Sequence, residues 1–152
     1  MDGITTNVSA KATTEHWLND FTAALASRDE SRLAALFAGE CHWRDILAFT
    51  WDLHTTSGTA RIGRRMTEAL AKVTPRNFQL ASGRTPPRLV TRAGTSAIEA
   101  IFTFETDVGP CNGVVRLVSP QGKARAWTLM TSLDEIRGHE EDRKSTRLNS
   151  SH

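Results

Sequence analysis

The sequence predicts an α+β domain in which a curved antiparallel sheet wraps round three N-terminal helices. Apolar residues recur at helical spacing within the first 40 residues and again over 60–73, and they alternate with a period of two through most of the remainder. Most of the strand-like segments come late in the chain and are separated by short Pro- and Gly-containing turns. Such connections favour antiparallel pairing and place the helices on one side of the sheet.

The first predicted helix begins at Thr13 or Thr14, because either side chain can cap a helix N-terminus. Its apolar residues share the spacing of a single buried helical face: Trp17, Leu18, Phe21, Ala24 and Leu25. The residues before it are rich in Thr, Asn, Ser and Ala. We therefore expect 1–12 to be a flexible leader, followed by one domain over 13–137.

Two shorter helices are predicted after the first. One spans 31–37, following a break at Arg28 and Asp29, and Gly39 is placed to end it. The other runs from about residue 60 or 61 to 73, where the following proline prevents its continuation. We expect the segment 49–59, between the first strand and this last helix, to be a loop.

The first predicted strand begins at Cys41, where the apolar period changes to two. Cys41, Trp43, Asp45 and Leu47 then share one face, while the opposite face holds His42, Arg44 and Ile46. We expect His42 and Arg44 to be solvated. A bent sheet of this kind forms a cone whose open mouth can hold one apolar pocket. The later strands are predicted at 77–81, 88–93, 96–107, 111–119 and 123–136.

The last eleven residues, 142–152, are predicted to be foreign to the protein. Their string DRKSTRLNSSH matches the translation of a common sequencing-library adapter, and segments of this kind are excluded from fold reasoning. They hold three basic residues and one acidic residue, so the rest of the chain carries 16 Lys+Arg and 16 Asp+Glu. The formal net charge of +2 therefore comes from the tail, and we expect no nucleic-acid partner.

Cysteine usage and hydropathy indicate the cellular compartment of the protein. Cys41 and Cys111 have no CxxC spacing, which favours two buried, reduced thiols over a disulfide or a metal pair. His139 with its adjacent carboxylates does not define a metal site. The chain has no apolar h-region at its start and no stretch of about 20 apolar residues. We expect a soluble, cytoplasmic protein with no membrane partner.

The order of elements, with Phe37-Ala38 followed by the aromatic-x-Asp of Trp43 and Asp45, resembles the nuclear transport factor 2-like (SnoaL-like) superfamily. The resemblance covers about 14–133. The superfamily contains ketosteroid isomerases, dehydratases, cyclases, non-catalytic transport factors and accessory domains. Membership therefore implies a cone-shaped α+β fold but leaves the function open.

Three longer phrases carry a narrower resemblance. CHWRDILAFTWDL at 41–53, GVVRLV at 113–118, and AWTLMTSL at 126–133 with GHEE at 138–141 are similar to the N-terminal domain of fungal and bacterial flavin-containing monooxygenases. In those proteins the GHEE segment leads through a connector into a dinucleotide-binding domain. The resemblance thus implies a parent that uses FAD and NADPH, with the C-terminal flavin domain as partner.

This chain contains no G-x-G-x-x-G, so we expect no cofactor in the fragment itself. The resemblance to the superfamily also implies a homodimer formed through the sheet face. We expect the domain to serve as an accessory part of a flavin-dependent, NADPH-using monooxygenase, without activity of its own.

Asp45 is the candidate catalytic residue if the domain is itself an enzyme. It lies eight residues after Phe37, which resembles the position of the general base in ketosteroid isomerases. A carboxylate can act as a general base when it is held close to the proton that it removes from the substrate. Those isomerases also use a Tyr as oxyanion donor, and this chain has no Tyr. In the opposing interpretation Asp45 pairs with Arg44 or another arginine, or faces solvent. The candidate replacement donors are Trp127, His54, and Glu99 or Glu105 in the protonated form.

Four residues are predicted to line the pocket: Trp43, Trp51, His54 and Trp127. Each has a plainer interpretation, because large aromatic residues on strands are usually core and His54 fits an exposed loop. Two alternatives to the accessory domain therefore stay open. One is a complete small isomerase, dehydratase or cyclase with Asp45 as base, and the other is a module that binds a small apolar ligand.

Overall fold

The computed structural model describes residues 3–51, 53, 55–119 and 123–134. His54, the GHEE segment and the adapter-like tail lie outside these ranges. Within them the helices are α1 (Gly3–Ser27), α2 (Glu30–Ala35) and α3 (Thr59–Ala69). The strands are β1 (Phe37–Ile46), β2 (Thr55–Ser57), β3 (Arg76–Leu80), β4 (Arg88–Arg92), β5 (Thr95–Glu105), β6 (Pro110–Val118) and β7 (Arg125–Leu133).

All seven strands belong to one curved sheet, in the order β2-β1-β7-β6-β5-β3, with β4 also paired to β5. Every pair is antiparallel except β1 and β7, which run parallel. The predicted α+β class is confirmed. The prediction of a wholly antiparallel sheet is wrong for this one pair, because hairpin reasoning reaches only strands that are neighbours in sequence. No helix in the described ranges is long and apolar enough to cross a membrane.

Helix α1 begins at Gly3, so the predicted leader over 1–12 is wrong from that residue onward. Thr14 does not cap the helix. Its hydroxyl donates a hydrogen bond of 2.8 Å to the carbonyl of Ala10, one turn earlier, and both residues are buried. The predicted apolar face of α1 is confirmed, since all five of its members are buried: Trp17, Leu18, Phe21, Ala24 and Leu25.

The segment around α2 differs from the prediction at both ends. Asp29, expected only as a break, is the N-cap of α2, and its side chain accepts hydrogen bonds from the backbone N–H of Ser31 and Arg32. The helix ends at Ala35, and Gly39 lies inside β1 rather than after a helix. The predicted loop over 49–59 contains β2, which is too short to show a period of two.

Alternation along β1 follows the prediction. Cys41, Trp43 and Asp45 are buried on the inner face of the sheet, where the helices pack, whereas Arg44 is exposed and His42 is half-buried. The inner face continues across the later strands through Phe102 and Phe104 of β5, Cys111 and Val115 of β6, and Leu129 of β7. The core therefore lies between this face and the three helices.

A carboxylate surrounded by arginines marks the outer side of β5. Glu99 accepts a hydrogen bond of 2.9 Å from Nε of Arg116, and Arg88 and Arg92 each lie 3.3 Å from it. Burial raises the pKa of Glu99, but the hydrogen bond from Arg116 and the charges of Arg92 and Arg116 together outweigh burial. The pKa of Glu99 is therefore below its usual value.

Glu99→Gln is expected to destabilise the protein by about 1 kcal/mol or less near neutrality, since the arginines are partly exposed. A lowered pKa means that the ion pairs stabilise the fold above the unfolded-state pKa of about 4.3 and are lost as pH falls through the lower folded-state value. Thermal unfolding of both proteins from neutral to acidic pH measures this. The difference in stability between the wild type and Glu99→Gln should narrow below about pH 4.3. A difference that stays constant with pH would contradict the role assigned to Glu99. Glu15→Gln is the surface control.

Cys41 and Cys111 are both buried and free of disulfide bonds, as the sequence predicts. Burial raises the pKa of the Cys41 thiol, and it raises that of Cys111 to about 12. Because the thiolate is the reactive form, we expect neither cysteine to react with iodoacetamide in the native protein at about pH 8. Mass spectrometry after labelling should find both thiols modified only in denaturant. Rapid labelling of the folded protein would show that the thiols are accessible.

Candidate functional site

Asp45 lies near the end of β1, on the inner face of the sheet, with only 2% of its surface exposed. The parallel pairing of β1 with β7 puts it directly beside Thr131. The backbone then turns sharply, because Leu47 adopts a positive φ of 65°, a conformation that costs a non-glycine residue energy. The carboxylate therefore sits inside the turn that ends β1.

Four donor groups surround the Asp45 carboxylate. The backbone N–H of Phe49 contacts both oxygens at 3.0 Å, and the N–H and hydroxyl of Thr50 donate to Oδ2 at 2.8 and 3.1 Å. The hydroxyl of Thr131 donates to Oδ1 at 2.6 Å. An ionised carboxylate offers about four lone-pair sites. Those of Asp45 are thus occupied by the loop that follows β1 and by β7.

Trp43 fixes the direction of the Thr131 hydroxyl. Its indole Nε1 can only donate, and it lies 3.0 Å from Oγ1 of Thr131. The oxygen of Thr131 therefore accepts from Trp43, and its proton points to Asp45. Trp43, Thr131 and Asp45 are all buried, so water does not compete for their hydrogen bonds. Loss of one of these bonds would therefore weaken the next.

Aromatic side chains fill the interior beside the carboxylate. The ring of Phe49 packs edge-on against Trp43 with centroids 5.4 Å apart, and it contacts Phe104 at 5.8 Å. Phe104 stacks on Phe78 at 4.8 Å, and Phe78 reaches Phe21 of α1. A carboxylate that is buried and saturated by donors can hold a loop in place, but it offers no free lone pair to a substrate proton.

The three predicted pocket residues that lie within the described ranges do not come together. Trp43 is buried in the core, whereas Trp51 is 66% exposed at the surface. Trp127 lines a cleft of about 440 Å³ together with Glu40, Ser96 and Val118. His54 lies outside the described residues. The structure therefore places Trp43 beside Asp45 and separates it from Trp51 and Trp127.

The ion pair between Asp45 and Arg44, expected in the plainer interpretation, is not formed within the described chain. Arg44 is exposed, because successive residues of a strand point to opposite faces. The alternative prediction, that Asp45 faces solvent, is wrong as well. Glu99 and Glu105, the candidate replacement donors, are engaged elsewhere, Glu99 by three arginines and Glu105 by Arg76 at 3.3 Å.

Thr50 and Thr131 are the partners that sequence reasoning missed. Thr50 follows Asp45 by five residues, which is farther than the two residues spanned by an ordinary Asx turn, so turn patterns did not indicate this contact. Thr131 is separated from Asp45 by 86 residues. Only the β1–β7 register brings them together, and no spacing in the sequence reports that register.

A second cleft, of about 500 Å³, opens beside the irregularity in β3, where Asn77 has a φ of 61°. Its walls include Gln79, Thr103 and Glu105, and Asp45 is not among the residues that line it. Within the described part of the chain, no group of three or more His, Cys, Asp or Glu side chains could hold a metal ion.

The curved sheet packed round three helices is a nuclear transport factor 2-like cone. A domain of unknown function with a cystatin-like fold from Nostoc punctiforme is similar, with a TM-score of 0.63 and 8% identity over 94% of this chain and 96% of that one. A nuclear transport factor 2-like protein of unknown function from Pseudomonas putida has a TM-score of 0.60 and 12% identity over 86% and 91% of the two chains.

A protein from Streptomyces avermitilis, described as a candidate dehydratase from the nuclear transport factor 2-like family, has a TM-score of 0.59 and 12% identity over 83% of this chain and 96% of that one. Neither a protein-family profile nor a curated protein matches the sequence. At identities this low, the likeness to the solved structures establishes the fold alone.

Proposed function

We propose that this domain is a non-catalytic accessory part of a larger enzyme, the N-terminal domain of a flavin-dependent monooxygenase that uses NADPH. The observation that carries the non-catalytic role is the state of Asp45. Its oxygens are occupied by four donors, and its side chain is buried. A general base must reach the proton that it removes. Asp45 instead stabilises the turn after β1.

The flavin enzyme is proposed from the three sequence phrases. The first of them, 41–53, encodes the inner face of β1 and the turn held by Asp45, and the third supplies Thr131 on β7. Two of the phrases therefore meet at a single structural feature. They would be retained together wherever the same domain core is built.

The surface that would meet the flavin domain is proposed to include Trp51 and Leu53. Both are largely exposed, at 66% and 58%, and both follow the turn fixed by Asp45. Exposed tryptophans are disproportionately found at the energetic centres of protein interfaces. Because the turn before them is held by Asp45, these side chains would lose little conformational entropy when they bind a partner.

The outer sheet face is proposed as a homodimer surface. Met130 is 37% exposed there, beside Val114 and Arg116 on β6. Met130→Glu should shift the molar mass measured by light scattering after gel filtration toward the monomer. Leu89→Glu is the matched control. Leu89 is also exposed, but its strand partner Ile98 packs against the core, so Leu89 does not lie on the outer face. An equal mass for both variants and the wild type would exclude this face.

The proposed function is tested by reading the source DNA downstream of the codon for Glu141 and expressing the complete frame. The expected result is a long continuation with a strand, G-x-G-x-x-G and a helix, and a product that binds FAD and oxidises NADPH. The present domain should not isomerise a Δ5-3-ketosteroid, with or without Asp45→Asn. A stop codon soon after Glu141, together with turnover that Asp45→Asn abolishes, would instead establish a small isomerase.

A further inference from the structure

We propose that a groove between α3 and β2 binds the phosphate group of a small organic phosphate. The groove, here called the arginine groove, has a volume of about 300 Å³. It is lined by Thr55, Thr56, Ser57, Arg61, Arg64, Arg65 and Glu68. It lies apart from Asp45 and is independent of the accessory role proposed above.

The arginines share one side of α3. Arg61 precedes Arg64 and Arg65 by three and four residues, the spacing that brings side chains together on a helix surface. Like charges at this spacing destabilise a helix. Glu68 is the single acidic residue in the lining, so the groove carries a formal excess of two positive charges.

Arg61 and Arg64 are exposed, and no carboxylate of the described residues lies within ion-pair distance of either. This differs from Arg76, Arg88, Arg92 and Arg116, each of which has an acidic partner. The repulsion between Arg61 and Arg64 is thus not offset by any carboxylate of the described residues. A bound dianion would remove it.

Hydroxyl groups complete the opposite wall. Thr55 and Ser57 are exposed on β2, and the hydroxyl of Ser57 lies 2.7 Å from Nδ1 of His42, directly across the β1–β2 pair. The imidazole thereby orients this hydroxyl beside the arginines. Hydroxyls and planar guanidinium groups are the usual partners of phosphate oxygens, and guanidinium can donate two parallel hydrogen bonds to one phosphate.

The dimensions and charge favour a small ligand over a polymer. A volume near 300 Å³ is at the lower end of the range for small-molecule clefts. Apart from 142–152, the chain has equal numbers of acidic and basic residues, so its net charge gives no support to binding of a nucleic acid backbone. A phosphate monoester carries nearly two negative charges and three acceptor oxygens, which matches several converging donors.

The test is a titration of the full chain with phenyl phosphate at low ionic strength, followed by amide NMR shifts and by calorimetry. The wild type should show saturable shifts in β2 and α3. The double variant Arg61→Gln/Arg64→Gln should weaken binding by about tenfold or more, because charge-assisted hydrogen bonds are lost. Lys11→Gln/Lys72→Gln, which removes the same charge from other exposed positions, should leave the affinity within about twofold.

Phenol serves as the uncharged ligand and should not bind. Circular dichroism of each variant should match the wild type, since the replaced side chains are exposed. The proposal is overturned if phenyl phosphate causes no saturable shift in β2 and α3. It is also overturned if the arginine and lysine variants lose affinity equally, since the effect would then follow net charge.

Discussion

Gly113→Val is expected to destabilise the fold by about 3 kcal/mol, the upper end of the usual cost of overpacking. A Cβ at position 113 would lie 2.3 Å from Cζ of Phe102, with Cε1 and Cε2 of that ring at 2.7 and 2.8 Å. Phe102 is fully buried and packs against Phe78 and Phe104, so its ring cannot withdraw freely. Urea unfolding monitored by tryptophan fluorescence measures the loss.

Gly39→Val is the matched control for this substitution. Gly39 also lies in a strand, but a Cβ there would meet no atom within 4 Å. Valine suits a strand better than glycine, so the control should be neutral or slightly stabilising. Adding Phe102→Leu to Gly113→Val should recover part of the lost stability if the clash is the cause. Additive losses in the double variant would contradict the steric explanation.

Asp45→Ala is expected to lower the free energy of unfolding by about 3 kcal/mol, because it leaves several buried donors without an acceptor. The backbone N–H groups of Phe49 and Thr50 and the hydroxyl of Thr131 would all lose their partner. The positive φ of Leu47 would then strain a turn that nothing holds. Thermal and urea unfolding measure the change.

Asp107→Ala provides the comparison, since that carboxylate is 71% exposed and pairs only with a surface arginine. Its cost should stay within about 1 kcal/mol. Asp45→Asn should fall between the two, because an amide oxygen can still accept while its NH₂ group opposes the N–H donors. Equal stability of Asp45→Ala and Asp107→Ala would show that Asp45 does not hold the turn.

Periodicity predicted those parts of the fold in which neighbouring residues decide the structure. The buried face of α1 and the alternation along β1 both follow from one amphipathic pattern, so Trp17, Trp43 and Asp45 were placed correctly on buried faces. The start of α1 was missed because Thr13 and Thr14 resemble caps. The structure shows that Thr14 instead bonds back to Ala10 within the helix.

The site was less predictable because its geometry is long-range. The sequence identified Asp45 but gave neither its saturation by donors nor the separation of Trp51 and Trp127 from it. The contact between Asp45 and Thr131 depends on the β1–β7 pairing, which joins strands from opposite ends of the domain, whereas the other donors come from the loop after β1. β2 was missed for a different reason, since three residues are too few to show a period of two. The partners of side chains that lie outside regular alternation can be named only when the register between the strands is known.

The parallel pairing of β1 with β7 has a consequence for biosynthesis. β1 emerges from the ribosome long before β7, and until then it can pair only with the three residues of β2. Its second edge and the indole of Trp43 stay without their native partners during that interval, which is when unpaired strands are prone to associate. Contacts across 86 residues also make folding slow relative to local hairpins. A chain that stalls before Arg125 would therefore be a substrate for chaperones.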